Sequence, residues 1–233
     1  MKLLLALPAA SLANAVPDLA PRKFNSIVGM AHSQVTTALS KDDFGEKINK
    51  YGCHCFPNGS KAAGGVGPAV DDMDSLCKKL YRCHKCIQIE FGEDAVDVDD
   101  GRYTWALQGD NTLSCEKNQN NPARKALCEC DRDFAYAMGE IWSDDGFNPF
   151  YWLSNRNARH EGKEKNDGSV FDYDQTCQPA ANGSGPADAC CGASYPNKEP
   201  YDSTQRTCCN DVLINVLTQE CCGNGSVGSI GSC

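Results

Sequence analysis

Apolar residues recur at helical spacing in three stretches of the chain. Met73, Leu76, Cys77, Leu80, Cys83 and Ile87 follow i, i+3, i+4, i+7 intervals and line one face of a helix. Leu80 completes that stripe without a break and reads as core. Asp71 and Asp72 precede it as N-cap candidates, since a short carboxylate can accept from the first free N–H groups. A second stripe runs Leu127, Cys130, Phe134, Ala137, Met138 and Ile141. Asn121-Pro122 opens it, a cap followed by a residue that needs no N–H there. A shorter N-terminal helix carries Phe24, Ile27, Val28 and His32 on one face. Between the long helices, residues 102–107 and 112–115 flank Gly109-Asp110-Asn111, which predicts a β-hairpin.

Beyond these elements the pattern changes. Residues 155–168 carry no large apolar side chain and read as a solvated linker. The region from Cys177 is rich in Gly, Ser, Asn and Pro and holds Cys190-Cys191, Cys208-Cys209 and Cys221-Cys222. Vicinal cysteines rarely pair with each other, because that bond strains the backbone. Each dipeptide is therefore expected to reach two other places in the chain. With so few large apolar residues, this module must rely on crosslinks. The expected fold is mainly α with a small β-hairpin, a disulfide-stapled helical domain over 16–176. A small Cys-rich irregular module over 177–233 follows it.

Composition narrows the chemistry. Lys+Arg 22 against Asp+Glu 31 gives a net charge of −9, which argues against a nucleic-acid partner. Residues 1–15 read as a secretory signal peptide: Lys2, a short apolar run interrupted by Pro8, and an Ala13-Asn14-Ala15 cleavage site. No later run is apolar enough to span a membrane. The 16 cysteines are therefore expected to be oxidised in a secreted, extracellular protein. Asn-Gly-Ser sequons at Asn58, Asn182 and Asn224 fit glycosylated loops.

The order of several motifs resembles the secreted phospholipase A2 family. They are Tyr51-Gly52-Cys53-His54-Cys55, then Gly64-Gly65-Val66-Gly67-Pro68 leading into Asp71-Asp72-Met73-Asp74 and Cys77. Cys83 and Cys128-Glu129-Cys130-Asp131-Arg132 follow. The resemblance covers roughly residues 22–145 and implies a calcium-dependent hydrolase scaffold. It also implies that the family's catalytic His falls at Leu80 and its calcium-binding Asp at Tyr81. Leu has no titratable atom, and a neutral phenol is a poor calcium ligand. The family's first calcium-loop glycine falls at Phe56, followed by Pro57, and extra residues precede the Gly-rich stretch. No calcium or other cofactor is therefore expected. The resemblance implies disulfides Cys55–Cys77, Cys83–Cys130 and Cys115–Cys128. Cys53 and Cys86 remain, with Cys177 as a partner for one of them. A bridge that the family forms is lost as a pair at Leu76 and Ala137.

Asp131 matches the Asp that orients the family's catalytic His. It reads here as a structural acceptor with His84 as partner, or as half of a displaced base. Cys53-His54-Cys55 and Cys83-His84-Lys85-Cys86 have loosely zinc-like spacing, against which an oxidised context weighs. Residues 90–100 hold six acidic side chains and read as a solvated loop or a weak calcium or mineral patch. The aromatic run at 147–153 reads as packing on the helices or as a lipid-facing surface. The stretch 190–223 resembles galaxin-type di-cysteine repeats. These readings favour a non-catalytic scaffold that binds a lipid, an acyl chain or an extracellular matrix protein. A phospholipase with a rearranged base such as His84 is the alternative, and an extracellular or biomineral matrix protein is a third.

Overall fold

In the computed structural model of the chain, the described residues are 22–49, 51–56, 65–96, 103–144, 147–152, 171–178 and 186–233. The leader, Asn58, Asn182, residues 97–100, Leu153 and the linker at 155–168 lie outside them, as does the side chain of Phe24.

Two 20-residue helices form the frame, α3 (Asp72–Phe91) and α4 (Pro122–Ile141). Asp71 caps α3 by accepting from Asp74 N–H, and Asn121 caps α4 by accepting from Arg124 N–H. The helices are antiparallel: Lys79 pairs with Asp133 and, one turn further along α3, Cys83 bonds to Cys130. Helix α1 (Arg22–Gln34) packs on α4, burying Ile27, Val28, Met30 and Ala31. Helix α2 (Lys41–Ile48) starts at Ser40, whose hydroxyl accepts from Asp43 N–H. It buries Phe44 edge-on against Trp142, 4.7 Å between ring centres. These side chains join Leu80, Ile87, Leu127, Phe134 and Met138 in one core.

The wing between α3 and α4 is a short antiparallel pair, β1 (Ala106–Leu107) and β2 (Leu113–Ser114). Buried Asn118 ties it down, accepting from Thr104 N–H and donating to the carbonyls of Thr104 and Cys115.

The Cys-rich region consists of three successive antiparallel hairpins. They are β3 (Ala189–Cys191) with β4 (Glu199–Tyr201), β5 (Arg206–Cys209) with β6 (Val212–Asn215), and β7 (Gln219–Cys221) with β8 (Val227–Ser229). Asn210 and Asp211, both at positive φ, make the two-residue turn between β5 and β6. Every cysteine is oxidised, in eight disulfides. Cys55–Cys77, Cys83–Cys130 and Cys115–Cys128 pair as the resemblance implies. The zinc reading is overturned, since Cys53, Cys55, Cys83 and Cys86 carry no thiol to give a metal.

The vicinal pairs build a ladder. Cys190 reaches back to Cys86 on α3, and Cys191 reaches forward to Cys208. Cys209 bonds to Cys221, and Cys222 to Cys233. Each hairpin is thus tied to the one before it. The first hairpin also docks on α3 through Arg82–Glu199 at 3.1 Å and through Glu90, which takes Lys198 and the Tyr195 hydroxyl. Glu90 is therefore an anchor for the hairpins rather than part of a solvated acidic loop. Cys53–Cys177 pins the preceding turn, α5 (Tyr173–Thr176), to the lead-in of α3. Gly67, at φ +85°, lies against it: a Cβ there would meet Gln178 O at 2.7 Å.

Candidate functional site

The two long helices bring one polar cluster into an otherwise apolar interface. His84 projects from α3 and Asp131 from α4, both buried. The imidazole Nε2–H donates to Asp131 Oδ1 at 2.6 Å. The Tyr103 hydroxyl, from the wing, donates to Asp131 Oδ2 at 2.5 Å. Both carboxylate oxygens therefore have a donor, as a buried carboxylate requires. Burial, followed by the Asp131 charge and the hydrogen bond, pushes the Tyr103 phenol well above its ordinary range.

Leu80 sits one turn before His84 on α3, so about 5–6 Å separates the two along the axis. Its side chain is 3% exposed. It borders a gap of about 10 Å³ shared with Leu76, Ala137 and Pro196. That volume is at the lower limit for one water molecule and leaves no room for a substrate. Tyr81 is half-buried on the same helix. Where the resemblance expects a bridge, Leu76 and Ala137 border this same gap, as does Pro196 of the first hairpin.

A second polar centre lies at the start of α3. Asp74 is fully buried and accepts from the backbone N–H groups of Cys53, His54 and Val70. Gly52, at φ +57°, makes this approach feasible, because a Cβ there would stand 2.4 Å from the Asp74 carboxyl carbon. Burial pushes the Asp74 carboxyl up, and the three N–H donors pull against it. His54 is buried beside it and bonds Gly67 O through Nε2, while Nδ1 has no hydrogen-bond partner. Burial lowers the His54 pKa. Tyr51 completes the group by donating to Asp71, and burial, then that hydrogen bond, raises its phenol.

Among the described residues, which exclude 57–64, those beside the expected calcium loop do not fit the ion. Hard cations need six to eight oxygen ligands at short range. Among the described residues, no group of three or more His, Cys, Asp or Glu is gathered to hold a metal. Phe56 fills its position at positive φ with a buried ring, edge-on to Phe134 at 6.4 Å. The neighbouring carboxylates of Asp71 and Asp74 are already committed to hydrogen bonds.

A phospholipase A2 family model matches residues 30–148, just over half of the chain. The chain belongs to the phospholipase A2 family. A sheep phospholipase A2 is 29% identical over 116 residues, which span 48% of this chain and 84% of the relative. An acidic phospholipase A2 of Micrurus dumerilii is 32% identical over 114 residues, spanning 47% of this chain and 81% of its own. A protein of Bothrops leucurus called a basic phospholipase A2 homolog is 33% identical over 90 residues, or 39% of this chain and 62% of the relative. The three hairpins lie beyond the matched segment.

The aromatic segment after α4 packs inward. Phe147 lies 5.5 Å from Tyr51, and Phe150 lies 6.0 Å from Phe171. Trp152 Nε1–H donates to Glu46 O. Asn224 is exposed in the β7–β8 turn, its side-chain oxygen accepting from Ser226. Sequence reasoning missed two participants. Tyr103 gave no signal beyond its place at the hairpin, and the Asp74 centre was hidden behind the capping role of its neighbours.

Proposed function

We propose that the protein is a secreted, non-catalytic phospholipase A2 scaffold that binds a lipid acyl chain. Leu80 and Tyr81 stand in place of the family's catalytic His and calcium-binding Asp. The observation that carries this reading is the buried, aliphatic Leu80, beside which a gap of only about 10 Å³ remains. A base and an attacking water would need that space, and an aliphatic side chain has taken it. The donor set that does not fit calcium supports the same conclusion. Eight disulfides fit an oxidising, extracellular compartment. Among the described residues no helix is long and apolar enough to cross a membrane. The hairpins serve as a di-cysteine module of the galaxin type, with Asn224 as a glycan acceptor.

An open cavity of about 220 Å³ supports the acyl-chain reading. Met73, Ile141, Trp142 and Phe147 form its apolar lining beside Tyr51, Asp71, Asp72 and Ser143, and Ile141 is 41% exposed. Titration of the intact protein with a monomeric medium-chain fatty acid should release heat and quench Trp142 fluorescence. Ile141→Asp should weaken binding at least tenfold. An unchanged signal across the titration rejects the acyl chain and leaves an extracellular protein as the partner.

The 2.6 Å contact between His84 and Asp131 favours a second reading, hydrolysis through a displaced base. In that case His84→Ala would abolish any hydrolysis the wild type performs. Activity that survives the substitution excludes His84 as the base.

A further inference from the structure

A groove of about 380 Å³ runs between α3 and the hairpins. Its size falls in the range of small-molecule sites. Ser75, Lys78, Lys79 and Arg82 form one wall, spaced so that they share a helix face. Asn197 and Lys198, from the connection between β3 and β4, form the other. Four cationic side chains line this groove in a chain of net charge −9. Two carboxylates, Glu199 and Asp211, also line it.

The ion pairs that touch the groove are mostly open to water. Arg82 and Glu199 are 40% and 51% exposed, and Lys79 and Asp133 are 55% and 35% exposed. Exposed pairs hold their partners weakly, so an incoming anion can take their place. Lys198 is more firmly held by Glu90. Lys78 differs from the rest: its ammonium donates to a neutral acceptor, Gly67 O, at 2.9 Å. An ammonium keeps two further donors there. Arg82 offers the planar fork that matches a phosphate.

We propose that this groove binds a phosphate monoester. One wall comes from the family scaffold and the other from hairpins outside the family match, so the site exists only in the joined chain. It is separate from the acyl-chain cavity and does not depend on it. The same ester group could arrive on a soluble molecule or on a lipid headgroup.

The test uses the full oxidised chain. Calorimetry with glycerol 3-phosphate reads the soluble ester. Flotation with phosphatidylcholine vesicles, with and without phosphatidic acid, reads the headgroup. Binding in the first assay alone supports a soluble ligand, and binding in both, with none to pure phosphatidylcholine, supports a headgroup. Lys78→Gln should weaken binding about tenfold and Lys78→Arg should restore most of it. Lys125→Gln, outside the groove, should change nothing. Arg82→Gln should weaken binding while an unchanged thermal midpoint shows that the hairpins stay docked. Absence of glycerol 3-phosphate binding, or equal loss in Lys125→Gln and Lys78→Gln, overturns the proposal.

Discussion

In the helical region, Leu127, Phe134 and Met138 are buried with Ile27, Met30 and Ile87 in one cluster. In the hairpins, Ile214 is the large aliphatic that is buried among the described residues, while Val212, Leu217 and Ile230 are more than half exposed. The first region removes apolar surface from water; the second has too little to remove. The hairpins substitute short covalent loops, with sequence separations of 17, 12 and 11 residues. The same residue type, cysteine, thus does two jobs in one chain. In the helices the bridges Cys55–Cys77, Cys83–Cys130 and Cys115–Cys128 stand beside a packed apolar core. In the hairpins no comparable packing stands behind the sulfur.

Reduction should separate the two regions most strongly. Mild reductant should erase amide hydrogen-exchange protection across 186–233 while the middle of α4 stays protected. Joint loss of both regions would show that the helices depend equally on their bridges. Next in size, Leu127→Ala should cost about 2–5 kcal/mol by denaturant unfolding, since it empties a closed core. Leu217→Ala, 78% exposed in the hairpins, should stay within about 0.5 kcal/mol. A comparable cost at both positions would contradict the contrast.

The buried His54 sharpens the comparison through pH. Its pKa is lowered in the folded state, so below about 6.5 the unfolded chain takes up a proton that the folded chain refuses. Stability should therefore fall as pH drops below about 6.5, by at most about 1.4 kcal/mol per unit. His54→Gln should flatten that slope without touching the hairpins. Asp74 acts in the opposite sense, because a raised carboxyl gains stability as it protonates, so Asp74→Asn should steepen the decline. The Arg82–Glu199 tether should also contribute little. A double-mutant cycle should give about 0–1 kcal/mol, since both side chains are well exposed.

Local signals made the helices legible before any coordinates. The apolar stripe and the Asp71 cap placed α3, and Asn121-Pro122 placed the first turn of α4. Helix α2 escaped, because eight residues carry too few apolar positions to show a period, although Ser40 followed by Asp43 was a readable cap. The hairpins escaped for a similar reason. Strands of three or four residues alternate too briefly, and their pairing is imposed by disulfides whose connectivity sequence alone leaves open. The His84–Asp131 pair was legible through the resemblance, which matches Asp131 to the family's His-orienting Asp and leaves His84 as its partner. Tyr103 was not, since a wing residue reaches Asp131 only through tertiary folding.

The proposed loss of hydrolytic chemistry on a phospholipase A2 scaffold has a direct kinetic consequence. Initial-rate hydrolysis of phosphatidylcholine vesicles by the oxidised protein, with and without calcium, tests it most directly. Rates should equal those of Asp131→Asn and be unaffected by calcium. Calcium-dependent turnover that Asp131→Asn abolishes would contradict it.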